Sequence, residues 1–193
     1  MLENLWGSRV GVALCGSFCT FEYVFAAISR LIDAGAEIYP IMSFNAASLD
    51  TRFGKAQEHI KRLEEMTGRA VIRTIEAAEP IGPKKMLDLL IVANCTGNTL
   101  AKLAASITDT PVTMAVKSHL RAQRPVLISL ATNDALAGTA KNLGAVMNFR
   151  HYYFVPLRQD DFINKPTSLV ADFSRLPEAA SAALDGVQVQ PVV

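Results

Sequence analysis

The sequence predicts one α/β domain over residues 1–193, with a doubly wound parallel sheet of about six strands between two helical layers. Three observations carry this expectation. Short apolar runs alternate along the chain with longer stretches whose apolar residues recur at helical spacing. The middle run, residues 87–93 (LDLLIVA), is apolar apart from Asp88, as a strand covered on both faces should be. Small polar residues follow the runs, at the strand ends where open α/β sheets hold their ligands.

Residues 9–14 (RVGVAL) form the first β-rich run and lead into Cys15, Gly16, Ser17, Phe18, Cys19 and Thr20. Phe21, Val24, Phe25, Ile28, Leu31 and Ile32 then mark one face of a helix that Gly35 can stop. This unit sets a Gly-Ser turn at a helix N-terminus, where free amides and a partial positive charge suit an anion such as phosphate. The plainer reading is a tight turn that caps the helix. Residues 37–42 (EIYPIM) read as a second strand, made edge-like or irregular by Pro40. Phe53, Ala56, Ile60, Leu63 and Met66 predict a helix ending near Gly68, with His59 expected on its solvated, charged side.

Residues 70–75 are a candidate third strand, and residues 79–83 (EPIGP) a rigid loop. The run at 87–93 passes through a small polar turn into Leu100, Leu103 and Ala104, spaced for one face of a helix. Helices are expected over 110–122 and 135–146, a buried strand over 125–130 (PVLISL) and a last aromatic strand over 152–155. Residues 157–193 loosen into a less regular C-terminal extension, with a helix over 176–184 opened by Pro177. The tail after Gly186 is expected to be disordered or packed on a partner.

Four of the strand ends carry small polar groups: Gly16 and Ser17, Ser43 and Asn45, Thr96, Asn98 and Thr99, and Thr132 and Asn133. Double winding gathers them on one sheet edge, which predicts a crevice for a phosphate-bearing ligand with several hydrogen-bonding edges. The GxGxxG fingerprint is missing, since only Gly11 and Gly16 flank the first strand end, so a mononucleotide fits better than a dinucleotide. Cys95, inside the central loop, is expected to pack against a flat ligand. Lys117 and Arg121, one helical turn apart, are candidates to hold a carboxylate pair, the alternative being an exposed cationic face. No nucleophile with an evident base stands out. Cys15 and Cys19 lie near a helix N-terminus, where a thiol pKa can fall, but free cysteines more often serve packing.

The charge balance, 19 Lys and Arg against 18 Asp and Glu, leaves no basic footprint for nucleic acid or a membrane surface. Small molecules or proteins are the expected partners. No apolar run approaches the roughly 18 residues of a transmembrane helix. The early Glu3 argues against a secretory signal, which makes the cytoplasm the expected compartment. Three cysteines without a CxxC pair, and histidines scattered at His59, His119 and His151, indicate neither a disulfide framework nor a metal site.

Taken with the Gly16-Ser17 turn, Asn94-Cys95-Thr96-Gly97-Asn98-Thr99 resembles the flavoprotein family that includes FMN-dependent cysteine decarboxylases and flavin prenyltransferases. In that family the motif reads approximately Pro-Ala-Thr/Ser-Ala-Asn-Thr. Thr96, Asn98 and Thr99 match it, while Cys95 and Gly97 replace its alanines. The likeness covers roughly residues 9–148 and implies a flavodoxin-like (Rossmann-like) sheet, FMN as cofactor, and homo-oligomers with FMN near a subunit interface. By that carry-over Gly16, Ser17 and Ser43 hold the phosphate and Thr96, Asn98 and Thr99 line the isoalloxazine, with Asn45 and Cys95 beside them.

The decarboxylases of the family use a histidine base whose counterpart falls near Pro80 here, so their proton abstraction has no evident agent in this chain. The segments EPIGPK, CTGNTLAKLA, ITDTPVTMA and NDALAGTAKNLG, with tail segments as far as Asp172, resemble one branch of the family more finely. That branch supplies the B subunit of a synthase that oxidises a dihydro-dicarboxylate to an aromatic pyridine dicarboxylate during sporulation. The resemblance implies a dicarboxylate substrate and a partner A subunit that carries NAD(P). Two alternatives keep the fold: a non-redox scaffold that completes the A subunit's active site, and an FMN-dependent decarboxylase of a cysteine-containing substrate.

Overall fold

The structure, a computed structural model, describes residues 2–193. Five parallel strands form its spine: β1 (Arg9–Leu14), β2 (Glu37–Met42), β3 (Leu89–Cys95), β4 (Val126–Thr132) and β5 (Tyr152–Phe154). They lie in the order β2-β1-β3-β4-β5, which is flavodoxin-like. Two short strands, β6 (Leu157–Arg158) and β7 (Leu169–Ala171), extend the sheet antiparallel. β5 and β7 share the outer edge of β4, with β5 on Val126, Leu127 and Ile128 and β7 on Ala131 and Thr132. Every residue of β3 is buried, as a central parallel strand requires.

Among the described residues seven α-helices connect the strands, α1 (Phe21–Asp33), α2 (Phe44–Ser48), α3 (Ala56–Thr67), α4 (Ile75–Ala78), α5 (Gly97–Ala104), α6 (Pro111–Leu120) and α7 (Ala140–Met147), and α8 (Leu176–Leu184) follows β7. The right-handed crossovers set α1 and α8 against one face and α4, α5, α6 and α7 against the other.

Several expectations need correction. Residues 70–75 contribute one parallel bridge, Ile41 to Ile72, because beyond the edge strand only Ile72 exchanges hydrogen bonds, with Pro40 and Met42. His59 is not on a solvated face. It is buried at 6% exposure, its ring 4.8 Å from that of Phe21 and 6.0 Å from that of Phe25. The tail after Gly186 is ordered and bonded to its own chain. The Gln188 carboxamide accepts from the Phe154 amide at 2.7 Å and donates to its carbonyl at 2.8 Å, and the Leu157 amide donates to Val192. Helix 135–146 begins only at Ala140, preceded by turns.

Two polar side chains bracket the buried central strand. At its entry Asp88 accepts from the Arg9 amide and guanidinium and from Arg124, joining the starts of three strands. Its hydrogen bond to Arg9 holds the carboxyl below the usual carboxylate range. At its exit the fully buried Asn94 accepts from the Cys15 amide at 2.7 Å and donates to the carbonyls of Cys15 and Ser17, each at 3.1 Å. The chain leaving β1 is thereby bound to the end of β3. His119 is also buried, with Nε2 3.0 Å from the Pro125 carbonyl, and burial pushes its imidazole down to about 4.

Asn94→Ala strands the buried amide and carbonyl of Cys15, while the Ser17 carbonyl keeps the Thr20 amide and hydroxyl, and should cost about 3 kcal/mol, read as a lowered urea midpoint. The His119 imidazole binds its proton less readily folded than unfolded, so its contribution is complete above the unfolded value of 6.5 and is lost as pH falls toward 4. Wild type should lose about 3 kcal/mol across that window through this group. His119→Gln should flatten that part of the profile in denaturant titrations run above and below it.

Candidate functional site

The carboxyl ends of β1, β3 and β4 open into a cleft of about 1010 Å³. Its floor is the turn that Asn94 holds. Gly16, Ser17, Phe18 and Cys19 all line the cleft, and their backbone amides find no acceptor within the protein among the described residues. A side chain added at Gly16 would meet no protein atom nearer than 3.8 Å, so its absence leaves open space against the backbone. Such a run of free amides is an anion-binding arrangement.

The second element is the start of α5. Thr96 caps it, its hydroxyl accepting from the Thr99 amide at 3.1 Å, and Asn98 stands exposed in the cleft with no hydrogen-bond partner for its side chain in the protein. Gly97 is required by what it faces. A Cβ there would lie 2.7 Å from the Thr139 hydroxyl, 2.9 Å from that of Thr132 and 3.0 Å from an Asp134 carboxylate oxygen. Asp134 accepts from Thr132 at 2.5 Å and from Thr139 at 2.8 Å, and the Thr132 hydrogen bond, then that of Thr139, holds its carboxyl low. This cluster explains why a glycine replaces the alanine of the related motif.

The outer wall comes from the C-terminal segment, with Arg158 of β6, Asp160, Lys165, Ser168, Val170 of β7 and Asp172. Phe173 stacks on Tyr23 at 5.9 Å, and with Phe18 and Phe53 these rings give the cleft aromatic surface.

Of the candidates read from the sequence, Gly16, Ser17, Thr96, Asn98, Thr132 and Asn133 meet in this cleft. Thr99 and Cys95 do not line it. Thr99 is buried beneath the α5 cap, and Cys95 is the last residue of β3, fully buried, with Sγ 3.6 Å from the Thr96 carbonyl. Burial pushes the Cys95 thiol up and the Cys15 thiol to about 11, so neither is activated by its nearby helix. Ser43 and Asn45 flank the floor. The Ser43 hydroxyl caps α2 by accepting from Ala46, and Asn45 lies in van der Waals reach of Gly16. Lys117 and Arg121 lie where α6 runs down to the start of β4, at the opposite sheet edge, and neither lines the cleft. Asp134, Thr139, Arg158, Asp160, Lys165 and Asp172 were not singled out from the sequence. The alternation of buried Leu157 with exposed Arg158 was the available signal for the wall.

The whole arrangement has close counterparts. A family model described as Flavoprotein matches residues 2–168. The chain is 43% identical over 192 residues to the B subunit of dipicolinate synthase from Bacillus subtilis, covering 100% of this chain and 96% of that protein. The crystal structure of the dipicolinate synthase B subunit from Bacillus halodurans superposes with a TM-score of 0.89 at 39% identity, covering 97% of this chain and 96% of that one. The FMN-dependent cysteine decarboxylase SpaF shares the fold, with a TM-score of 0.68 at 24% identity over 93% of this chain and 98% of its own. With the strand order, the cleft and a family match over most of its length in agreement, the chain belongs to the Flavoprotein family.

Proposed function

We propose that this chain is the FMN-holding B subunit of a dipicolinate synthase. It takes part in oxidising a dihydrodipicolinate-type intermediate to dipicolinate during sporulation, in the cytoplasm, with a partner A subunit that carries NAD(P) and in a homo-oligomer of its own. The observation that carries this reading is the end-to-end likeness to two proteins of that name, over a cleft whose donor set suits a flavin mononucleotide.

The fit rests on chemistry at both ends of the cleft. The free amides from Gly16 to Cys19 suit the phosphate, and Gly16 lets it approach the backbone. Asn98 offers an unpaired carboxamide to a ring edge, and Phe18, Tyr23 and Phe173 supply flat apolar surface that excludes water. When bound, FMN supplies a two-electron acceptor for a reaction that removes one hydride equivalent and one proton from the substrate ring. The residues of this chain bind and orient. Asp134, kept ionised by two hydroxyl donors, is not a proton donor near neutral pH. The decarboxylase alternative is disfavoured because neither Pro80 nor any of the three histidines lines the cleft.

Gel filtration after saturation with FMN, with and without the A subunit, tests the reading. The expected result is a retained visible flavin band that bleaches when the dihydrodipicolinate precursor is added without oxygen. No band under either condition would move the redox step to the A subunit and leave this chain a scaffold. Gly16→Ala puts a Cβ into the space the phosphate needs, at least 3.8 Å from every protein atom outside its chain neighbours. It should weaken FMN retention by at least about tenfold while the melting temperature holds.

A further inference from the structure

The charged side chains of the cleft are paired off with one exception. Asp134 takes the hydroxyls of Thr132 and Thr139, Asp160 holds Lys165 at 3.0 Å, and Asp172 accepts from the Ser174 hydroxyl at 2.6 Å and its amide at 3.1 Å. Arg158 lines the same cleft, exposed, its side chain making no hydrogen bond or ion pair among the described residues. The Asp172 carboxyl is held low chiefly by Ser174, and the charge of Arg158 adds to this. Both bonds from Ser174 go to Oδ1 of Asp172, and no hydrogen bond joins that carboxylate to Arg158 among the described residues.

The backbone fixes where that fork stands. Arg158 pairs with Val170 across β6 and β7, and Val170 pairs with Ala131 across β7 and β4. Directly paired residues project to the same side of a sheet, and all three line the cleft. The preceding Leu157 points the other way into the core, which prevents the strand from slipping by one residue. Arg158 therefore ends a row that runs from Ala131 through Val170, two strands out from β4 in the same cleft.

We infer that Arg158 is the residue that receives a carboxylate of a planar, dianionic ring substrate in this cleft. A planar guanidinium offers a carboxylate two parallel N–H donors, whereas Asn98 and Asn133 offer only neutral groups suited to ring edges. Arg158 thus takes the role that spacing along α6 had suggested for Lys117 and Arg121. The inference rests on the synthase reading of the cleft and adds its substrate contact.

Equilibrium dialysis of dipicolinate against the FMN-saturated protein tests it, with free ligand read in the ultraviolet and retained flavin in the visible. Arg158→Gln should weaken dipicolinate binding by about tenfold to a hundredfold, Arg158→Lys by less, and Lys117→Ala not at all, with flavin retention equal throughout. Unchanged dipicolinate affinity in Arg158→Gln with flavin retained overturns the inference and leaves the flavin reading standing. Wild type that binds dipicolinate through Arg158 but retains no flavin supports the inference and removes the flavin reading. Absence of dipicolinate binding by wild type, alone or with its A subunit, overturns the inference.

Discussion

A single buried carboxamide underlies the ligand-facing edge of this molecule. Asn94 ends the apolar part of β3, and its three hydrogen bonds satisfy backbone groups of Cys15 and Ser17 that the sheet ladder no longer reaches. In a low-dielectric interior the two groups of Cys15 would otherwise be orphaned, and the bond to the Ser17 carbonyl adds to those from Thr20, so the turn after β1 has little choice of path. That path leaves the amides from Gly16 to Cys19 unpaired and lining the cleft. The floor of the site therefore follows from satisfying the interior. Asp88 has the equivalent role at the other end of the strand, where solvent access lets an ion pair with Arg9 and Arg124 take the place of a neutral amide.

The cleft divides its chemistry between two parts of the chain. The strand ends of the flavodoxin-like body contribute small neutral groups and free amides. The C-terminal segment contributes charge, through Arg158, Asp160, Lys165 and Asp172, by adding two antiparallel strands to the upper edge of β4. Gly97 shows how closely the parts are fitted, because the Asp134 cluster occupies the volume that an alanine methyl group would need.

Small polar residues at strand ends do not all serve a ligand. Thr96 and Ser43 spend their hydroxyls on helix caps, Thr99 lies beneath one of those caps, and Cys95 closes the core. A linear reading groups all of them as site residues because each follows a strand. The structure separates them by which way each side chain turns. His59 illustrates the converse, since its charged neighbours along α3 suggest solvent while its own position on the helix turns it onto Phe21 and Phe25.

The sequence by itself determined the parallel spine, the boundaries of β1 and β2, the helices α1 and α3 but not the short α2 directly after β2, and the location of the cleft at the strand ends. Those features are set by local periodicity and by the burial of continuous apolar runs, both readable along the chain. Only the tertiary structure decided which polar residues of the loops face the cleft and how the C-terminal segment completes the wall. It also decided that residues 70–75 make a bridge and not a strand, and that Lys117 and Arg121 lie at the far edge. These depend on contacts between residues far apart in sequence, 79 positions between Cys15 and Asn94 and 144 between Arg30 and Ser174, and no local pattern encodes a partner at that distance.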